Sequence, residues 1–125
     1  MSEEEIIEMA KRMRQAFSNV QCFVFEKQEL QLVRKTINTI GLRGLVRLRL
    51  ADPKYPYLYI VEPDIRDCEK DCESKALKKI ANGEVREELK KYFLSSFIRQ
   101  CINYCIHEKT KSILSIIDKF LGKEK

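Results

Sequence analysis

Three arginines around one short segment carry the clearest chemical signal in this sequence. Arg43 precedes the alternating segment VRLRL, residues 46–50, in which one leucine separates Arg47 from Arg49. Because side chains of a β-strand point alternately to its two faces, Arg47 and Arg49 share one face. Guanidinium groups bind phosphate oxygens with a planar fork and stack on nucleobases. The spacing therefore predicts a surface that contacts a polyanion.

The arginine segment is the first arm of a predicted β-hairpin. A loop with two prolines and an aspartate, residues 51–56, separates it from the β-forming segment 57–61. A register slip of one residue exchanges the faces of every side chain, and an odd register would place the arginines beside the tyrosines. We expect Leu50 to lie opposite Tyr57, since this even register makes one face uniformly apolar. That face would consist of Val46, Leu48, Leu50, Tyr57, Tyr59 and Val61.

The other face of the hairpin would carry the arginine stems over Leu58 and Ile60. With Lys54 and Tyr55 at the hairpin tip, this face predicts a shallow basic surface for single-stranded nucleic acid. Bases would stack on exposed aromatics such as Tyr55, with Phe23 and Phe25 as further candidates. The alternative is that the arginines only keep an outer sheet face soluble. The predicted nucleic-acid-binding residues are Arg43, Arg47, Arg49, Lys54 and Tyr55.

Four of the five cysteines form two pairs with helical spacing. Cys68 and Cys72, like Cys101 and Cys105, are four residues apart and lie on one helix face. They fit buried thiols, two disulfides (Cys68–Cys105 and Cys72–Cys101), or a four-thiolate site for zinc or an iron–sulfur cluster. If both helices meet at the turn 82–83, the distances of Cys72 and Cys101 from it differ by about 12 Å. That mismatch counts against both the two disulfides and the four-thiolate site.

The remaining reactive side chains predict no catalytic site. Cys22 faces apolar neighbours in a predicted strand and is expected in the core. The single histidine, His107, lies two residues after Cys105, so the two side chains point to different helix faces. No glycine-rich phosphate loop or hydrolase motif is present. We expect a protein that is not an enzyme and has no cofactor, and we predict no metal site.

The composition indicates one globular domain. The chain has 125 residues, a net charge of +5, and 44% hydrophobic and 34% charged residues, which is unlike a disordered chain. No apolar run approaches the roughly 20 residues that cross a bilayer, and the acidic start MSEEE is unlike a signal peptide. We expect a cytoplasmic protein that does not contact a membrane. Few glycines and prolines with dense Lys and Glu resemble proteins from hot environments.

Apolar periodicity and cap residues predict the remaining elements. Ser2 and Glu5 suit a capping box at the start of the first helix, and Gly41 suits the end of the second. The basic residues of the first helix, Lys11, Arg12 and Arg14, are expected on its solvated face. We expect helices at 3–17, at 28–40 and from the cap Asp64 to Ala81, and a strand at 20–26.

No glycine or proline interrupts residues 84–121, but their apolar pattern lapses over 108–112. We therefore expect two helices with a joint near Lys109 and Thr110. The resulting order, αβαββααα, is an α+β domain spanning 1–125, with a sheet-containing half (1–62) and a helical half (63–125). Its small antiparallel sheet, with a central hairpin, would be covered by helices. The last apolar stripe either packs on the sheet or forms a homodimer; it comprises Ile113, Ile116, Ile117, Phe120 and Leu121.

This small basic α+β chain combines an apolar C-terminal helix with an arginine-bearing hairpin, LVRLRLADPKYPYLYIV, residues 45–61. This layout, over most of the chain, resembles the ThermoDBP-type single-stranded-DNA-binding proteins of hyperthermophilic archaea. The resemblance implies strand binding in a basic cleft with stacked bases, and dimerisation through the C-terminal helix. The alternative function is a protein-interaction or scaffold subunit that docks a partner through its C-terminal helices, with purely structural cysteines.

Overall fold

Apart from two 3₁₀ turns, the described residues form elements in the order αβαββαα, an α+β fold as the sequence predicts, with one C-terminal helix in place of the two expected. A computed structural model describes residues 2–19, 22–55 and 57–122. The chain divides into two compact units. The first unit comprises Met1–Asp64 and Lys109–Lys125, and the second comprises Ile65–Glu108. The elements are α1 (Glu3–Asn19), β1 (Phe23–Glu26), α2 (Leu30–Ile40), β2 (Val46–Leu50), β3 (Leu58–Pro63), α3 (Arg66–Ala81) and α4 (Lys90–Gly122).

The sheet of the first unit is antiparallel in the order β1-β3-β2. Phe23 pairs with Val61, which in turn pairs with Leu48, so these three side chains share one face. That face is covered, since Phe23 and Val61 are buried, whereas Val24 on the opposite face is half exposed. The predicted strand 20–26 therefore begins at Phe23, and Val20 and Gln21 lie outside the described residues.

Helix α1 begins as its sequence predicts. The Ser2 hydroxyl accepts a hydrogen bond from the Glu5 amide (3.2 Å), and the Glu5 carboxylate accepts one from the Ser2 amide (3.1 Å). This capping box satisfies two amide groups that the helix cannot pair internally, and the backbone hydrogen bond from Ser2 lowers the pKa of Glu5. The buried stripe of α1 is the predicted one: Ile6, Met9, Ala10, Met13 and Phe17.

Helix α2 follows a single 3₁₀ turn, Lys27–Glu29, and ends at Ile40, with Gly41 as its C-cap. Gly41 has φ 91°, a left-handed conformation that glycine adopts without steric cost. The chain then turns back through Leu42, which is fully buried. This anchored turn holds the next residue, Arg43, at the surface between α2 and β2.

The first unit has one apolar core, to which the end of α4 contributes. Ile113 and Ile117 are fully buried in it. The C-terminal apolar stripe therefore packs into this core, which is the first of the two alternatives that the sequence left open. The other buried members are Met9, Ala10, Met13, Phe17, Phe23, Phe25, Val33, Leu42 and Val61.

The predicted joint near Lys109 and Thr110 is wrong, because α4 is continuous through both residues. The lapse in apolar pattern contains no helix-breaking residue, and Thr110 is itself buried. Lys109 is held by a hydrogen bond from its ammonium to the carbonyl oxygen of Asp64 (2.8 Å). The N-cap of α3 is Ile65 rather than the predicted Asp64.

In the second unit, two disulfides join α3 to the first part of α4: Cys68–Cys105 and Cys72–Cys101. The expected mismatch in length is absent because α4 starts at Lys90, several residues after the turn at Gly83. Cys72 lies nine residues before the end of α3, and Cys101 lies eleven after the start of α4. At 1.5 Å per residue this difference is about 3 Å, which a helix pair can accommodate.

Candidate nucleic-acid interface

The two arginines of β2 share one carboxylate. Arg47 lies opposite Glu62 in the ladder between β2 and β3, and Arg49 lies two pairs further along, on the same face. The Glu62 oxygen Oε1 accepts hydrogen bonds from Nε of Arg47 (3.2 Å) and Nε of Arg49 (2.7 Å). The side chain of Glu62 is 17% exposed, against 38% for Arg47 and 50% for Arg49. Glu62 therefore lies beneath two guanidinium groups that remain accessible to solvent.

Electrostatics keep this three-residue cluster charged. Burial would raise the pKa of Glu62, but hydrogen bonds from Arg49 and Arg47 outweigh it and lower the pKa below its ordinary value. The same hydrogen bond raises the pKa of Arg49. With two cations on one anion, the cluster keeps one excess positive charge at neutral pH. Its arginines are thus partly neutralised, which the arginine pattern alone did not predict.

The hairpin has the predicted even parity but a different pairing. Leu50 lies opposite Tyr59 rather than Tyr57, so the register is shifted by two residues and the side chains of the paired residues stay on their predicted faces. The shift arises in the loop, where the Tyr55 amide donates to the Asp52 carbonyl (2.9 Å) and the Leu58 amide to the Tyr55 carbonyl (3.0 Å). These two consecutive turns widen the loop. Tyr57 consequently lies outside β3 and is exposed.

A groove between α2 and β2 brings the arginines together with a helix that the sequence did not implicate. We call it the basic groove, with a cavity of about 280 Å³. Its apolar residues include the fully buried Val33 and Val61, and its rim carries the exposed Arg34 and Arg43. The complete lining is Val33, Arg34, Ile37, Asn38, Arg43, Val46, Arg47, Leu48 and Val61.

Arg34 and Arg43 differ from the paired arginines of β2. In the described part of the chain, neither guanidinium has an ion pair, hydrogen bond or ring contact. Both are exposed, so they are available to a ligand. Lys35 lies beside Arg34 on a second, more open depression of α2. The basic residues of α2, β2 and the turn between them are therefore Arg34, Lys35, Arg43, Arg47 and Arg49, of which Arg47 and Arg49 share the carboxylate of Glu62.

Of the predicted site residues, Arg43 and Arg47 line the groove, but the guanidinium of Arg47 lies with Arg49 and Glu62 on the face of β2 opposite Val46 and Leu48. Lys54 and Tyr55 lie at the hairpin tip and do not line the groove. The Lys54 amide donates to the Asp52 carboxylate (2.9 Å), which holds the tip in a defined turn. Tyr55 is 58% exposed, as base stacking requires.

The proposed stacking role of Phe23 and Phe25 is wrong. Both rings are buried, because the side chains of β1 alternate and these two face the core. The Phe25 ring stacks on Tyr59 at 6.2 Å. Tyr57 is 65% exposed instead, and the Lys27 ammonium lies 5.9 Å from its ring centroid.

The basic residues Lys11, Arg12 and Arg14 of α1 all lie in ion pairs, and Lys11 contacts Glu8 of the same helix at 3.5 Å. Arg12 contacts Glu29 at 2.5 Å, and Arg14 contacts Asp118 at 2.6 Å. The hydrogen bond from Arg12 lowers the pKa of Glu29. These arginines link α1 to neighbouring elements of the first unit.

The cysteines form covalent cross-links, so neither buried thiols nor a four-thiolate metal site describes the two pairs. In the part of the chain that the structure describes, no group of histidine, cysteine and acidic side chains could hold a metal ion. Cys105 is disulfide-bonded and has no thiol to pair with His107. Cys22 is a free thiol, half-buried just before β1 rather than in the core.

Comparison of the chain with protein-family models, curated proteins and solved structures finds no match. Within the described residues, none of the helices has the length and apolar character needed to cross a membrane.

Sequence reasoning missed Arg34, Asn38 and Glu62. Glu62 could have been found by extending the second hairpin arm one residue beyond Val61, because it has the same parity as Ile60. Arg34 and Asn38 are four residues apart and lie on one face of α2. That spacing alone did not indicate which strand the face would meet.

Proposed function

We propose that this protein binds single-stranded nucleic acid through the basic groove, without catalysing a reaction. The observation that carries the proposal is that Arg34 and Arg43, which have no partner among the described residues, lie on the rim of one groove with an apolar floor. Such a groove offers guanidinium groups to phosphates and an apolar surface to a base. A purely solubilising role for the arginines would not need a concave apolar floor between them.

Charge favours an extended polyanion over a single phosphate. Lys35 lies next to Arg34 on α2, and Arg49 lies on the same face of β2 as Arg47. Positive charges spread along a surface bind a strand by releasing its counterions, so affinity falls with salt. Tyr55 and Tyr57, both exposed in the hairpin loop, offer rings for further bases.

The experiment is a fluorescence-anisotropy titration of a labelled single-stranded oligonucleotide at two salt concentrations, about 50 and 200 mM. Arg34→Gln and Arg43→Gln should each weaken binding roughly tenfold, the value of one charge-assisted hydrogen bond. Each should also reduce the slope of log affinity against log salt by about 0.7.

A second test uses a substitution that is expected to raise the affinity for the strand. Glu62→Gln removes the carboxylate shared by Arg47 and Arg49, so affinity for the strand should rise. Glu4→Gln makes the same charge change at an exposed glutamate of α1 that does not line the groove, and it is the control. Arginine variants that bind as tightly as the parent, or equal affinities for the two glutamate variants, would refute the proposal.

A specific observation favours a second function, docking of a protein partner through the second unit. A depression of about 620 Å³ there is lined by Val85, Leu89, Tyr92, Phe93 and Phe97, among others. Leu89 is 51% exposed and Tyr92 is 72% exposed. Native mass spectrometry of the parent and of Leu89→Ser tests it: an oligomer that the substitution dissociates supports docking, and a monomeric parent argues against a homodimer.

We propose the cytoplasm of a heat-adapted archaeon as the setting. Disulfides persist in oxidising compartments and in intracellular proteins of hyperthermophiles, and this chain has two. The charged fraction of 34% exceeds the ordinary value of about 25%, as in heat-adapted proteins. A melting temperature below about 65 °C for the oxidised protein, the upper end for mesophilic domains, would argue against this setting.

A further inference from the structure

We infer that the free edge of β2, the side that does not pair with β3, binds an extended acidic segment of a partner protein as a fourth strand of the sheet. This inference goes beyond the proposed function and does not depend on it. Its evidence is the direction of the backbone groups of β2, the half-buried apolar side chains beside them, and the unpaired cations on the rim of the basic groove.

The hydrogen bonds at both ends of β2 show which of its backbone groups point outward. The Asp64 amide donates to the Leu45 carbonyl (3.0 Å), and the Ala51 amide donates to the Leu58 carbonyl (3.1 Å). Backbone groups of an antiparallel strand alternate in direction, so odd-numbered residues of this segment face β3 and even-numbered residues face away. Among the described residues, no other strand pairs with the free edge. The residues that face it are Val46, Leu48 and Leu50.

A polypeptide backbone complements the free edge better than a nucleic-acid strand does. Each of its three residues presents one N–H donor and one C=O acceptor, and a strand about 4.8 Å away satisfies both. Phosphate oxygens only accept hydrogen bonds, so they would leave the three carbonyl groups without a partner. A peptide strand added to a sheet gains affinity from main-chain hydrogen bonds and specificity from its alternating side chains.

The side chains of β2 specify the pattern of this peptide. Val46 and Leu48 point to the core side, where Ile37 of α2 also lines the groove, and all three are half-buried. Apolar peptide side chains opposite them would cover the area that they still expose to water. Arg47 and Arg49 lie on the other face and share one carboxylate, so acidic residues are favoured opposite them. The predicted segment therefore alternates apolar and acidic residues.

Charge favours an acidic partner over a second copy of this chain. If two β2 strands paired antiparallel about Leu48, Arg47 of one copy would lie opposite Arg49 of the other. Like charges directly opposite each other destabilise a strand pair. Arg34 and Arg43, on the rim of the groove, are exposed and have no partner among the described residues. They offer two further cations to the carboxylates of an acidic segment.

The test is a fluorescence-anisotropy titration of the oxidised protein with a labelled, acetylated probe peptide, Glu-Val-Glu-Ile-Glu-Val-Glu. Two further peptides carry N-methyl groups, one on its three apolar residues and the other on its last three glutamates. Because alternate amides of a strand point to opposite edges, only one of these sets faces β2. That set should weaken binding roughly a hundredfold, at about fivefold for each net hydrogen bond. The other set should leave the affinity unchanged.

A variant of the protein tests the same hydrogen bonds from the other side. Leu50→Pro removes one donor from the free edge, and Leu50→Ala is its control because both lose the leucine side chain. That side chain is 39% exposed, and proline is tolerated on an edge strand where the missing N–H would face solvent. Leu50→Pro should bind the probe peptide about fivefold more weakly than Leu50→Ala. Arg34→Gln and Arg43→Gln should each weaken it by about twofold to fivefold.

A block peptide, Glu-Glu-Glu-Glu-Val-Ile-Val, has the composition of the probe peptide without its alternation and should bind at least tenfold more weakly. Equal binding of the two would show that the cations attract any acidic chain, and it would overturn the inference. The same holds for equal effects of the two N-methylated sets, or for a probe peptide that does not bind. If the oligonucleotide binds and the probe peptide does not, only this inference fails. If the probe peptide binds and the oligonucleotide does not, only the proposed function fails.

Discussion

Removing the two disulfides should unfold the second unit and leave the first unit folded. Within residues 65–108, all of which are described, the buried side chains are Cys68, Cys72 and Ala76, all on α3. A unit with so few buried side chains gains little from apolar burial. Its stability must therefore depend on the two cross-links.

The magnitude follows from the spacing of the cysteines. Cys72 and Cys101 are separated by 29 residues, and closing such a loop in the unfolded chain is worth roughly 3.6 kcal/mol. With this bond formed, Cys68–Cys105 closes an effective loop of only about ten residues and adds roughly 2.7 kcal/mol. The two bonds together contribute about 6 kcal/mol, which is within the range of the entire stability of a small domain.

The assay is amide hydrogen exchange followed by mass spectrometry, on the oxidised protein, on the protein reduced with a phosphine, and on a variant with all four paired cysteines changed to alanine. Protection over α3 and residues 90–108 should be lost in the last two samples. Protection over α1 and the sheet should persist. Cys72→Ala with Cys101→Ala, which leaves one bond, should give intermediate protection. If α3 stays protected without either bond, apolar packing suffices and the estimate is refuted.

Three further predictions concern the first unit. Phe17→Ala should lower the free energy of unfolding by about 3–5 kcal/mol, because the ring is 1% exposed in the core; a loss below about 1 kcal/mol in urea unfolding would contradict that packing. Ser2→Ala should cost about 1 kcal/mol by removing the hydroxyl that accepts from Glu5, and an unchanged thermal midpoint would argue against the capping box. Because the pKa of Glu62 is lowered from its ordinary 4.5, its stabilising contribution is present above that pH and lost as the pH falls through the folded-state value. Below about pH 4.5, the stability of Glu62→Gln should therefore depend less steeply on pH than that of the parent. Identical pH dependence of the two proteins in this range would exclude a stabilising role for the Glu62 carboxylate.

Features set by local periodicity could be predicted from the sequence. The buried stripe of α1 repeats at helical spacing and needs no tertiary information. The parity of the hairpin was predictable for the same reason, because a strand has period two and only one parity makes a uniformly apolar face. The exact pairing of Leu50 was not, since it depends on the turn that the Asp52 side chain and carbonyl stabilise in the loop.

Features that depend on how distant elements pack could not be predicted. Arg34 lies on the same groove as residues of β2, and the spacing within α2 does not specify which strand this face of the helix will adjoin. The two disulfides were one of three arrangements that the cysteine spacing allowed, beside buried thiols and a four-thiolate metal site. Sequence reasoning could not choose it, since the choice depended on α4 beginning at Lys90 instead of directly after Gly83.

The paired cysteines have a mechanical consequence for the second unit. A single covalent link between two rods acts as a pivot about which they can swivel, whereas two links one helical turn apart remove that freedom. While both disulfides are intact, α3 cannot turn relative to the linked part of α4. The exposed side chains of α3, such as Leu77, therefore keep their orientation relative to that part of α4. Heating can loosen the non-covalent contacts between the two helices, but it cannot rotate one helix against the other, because both disulfides remain.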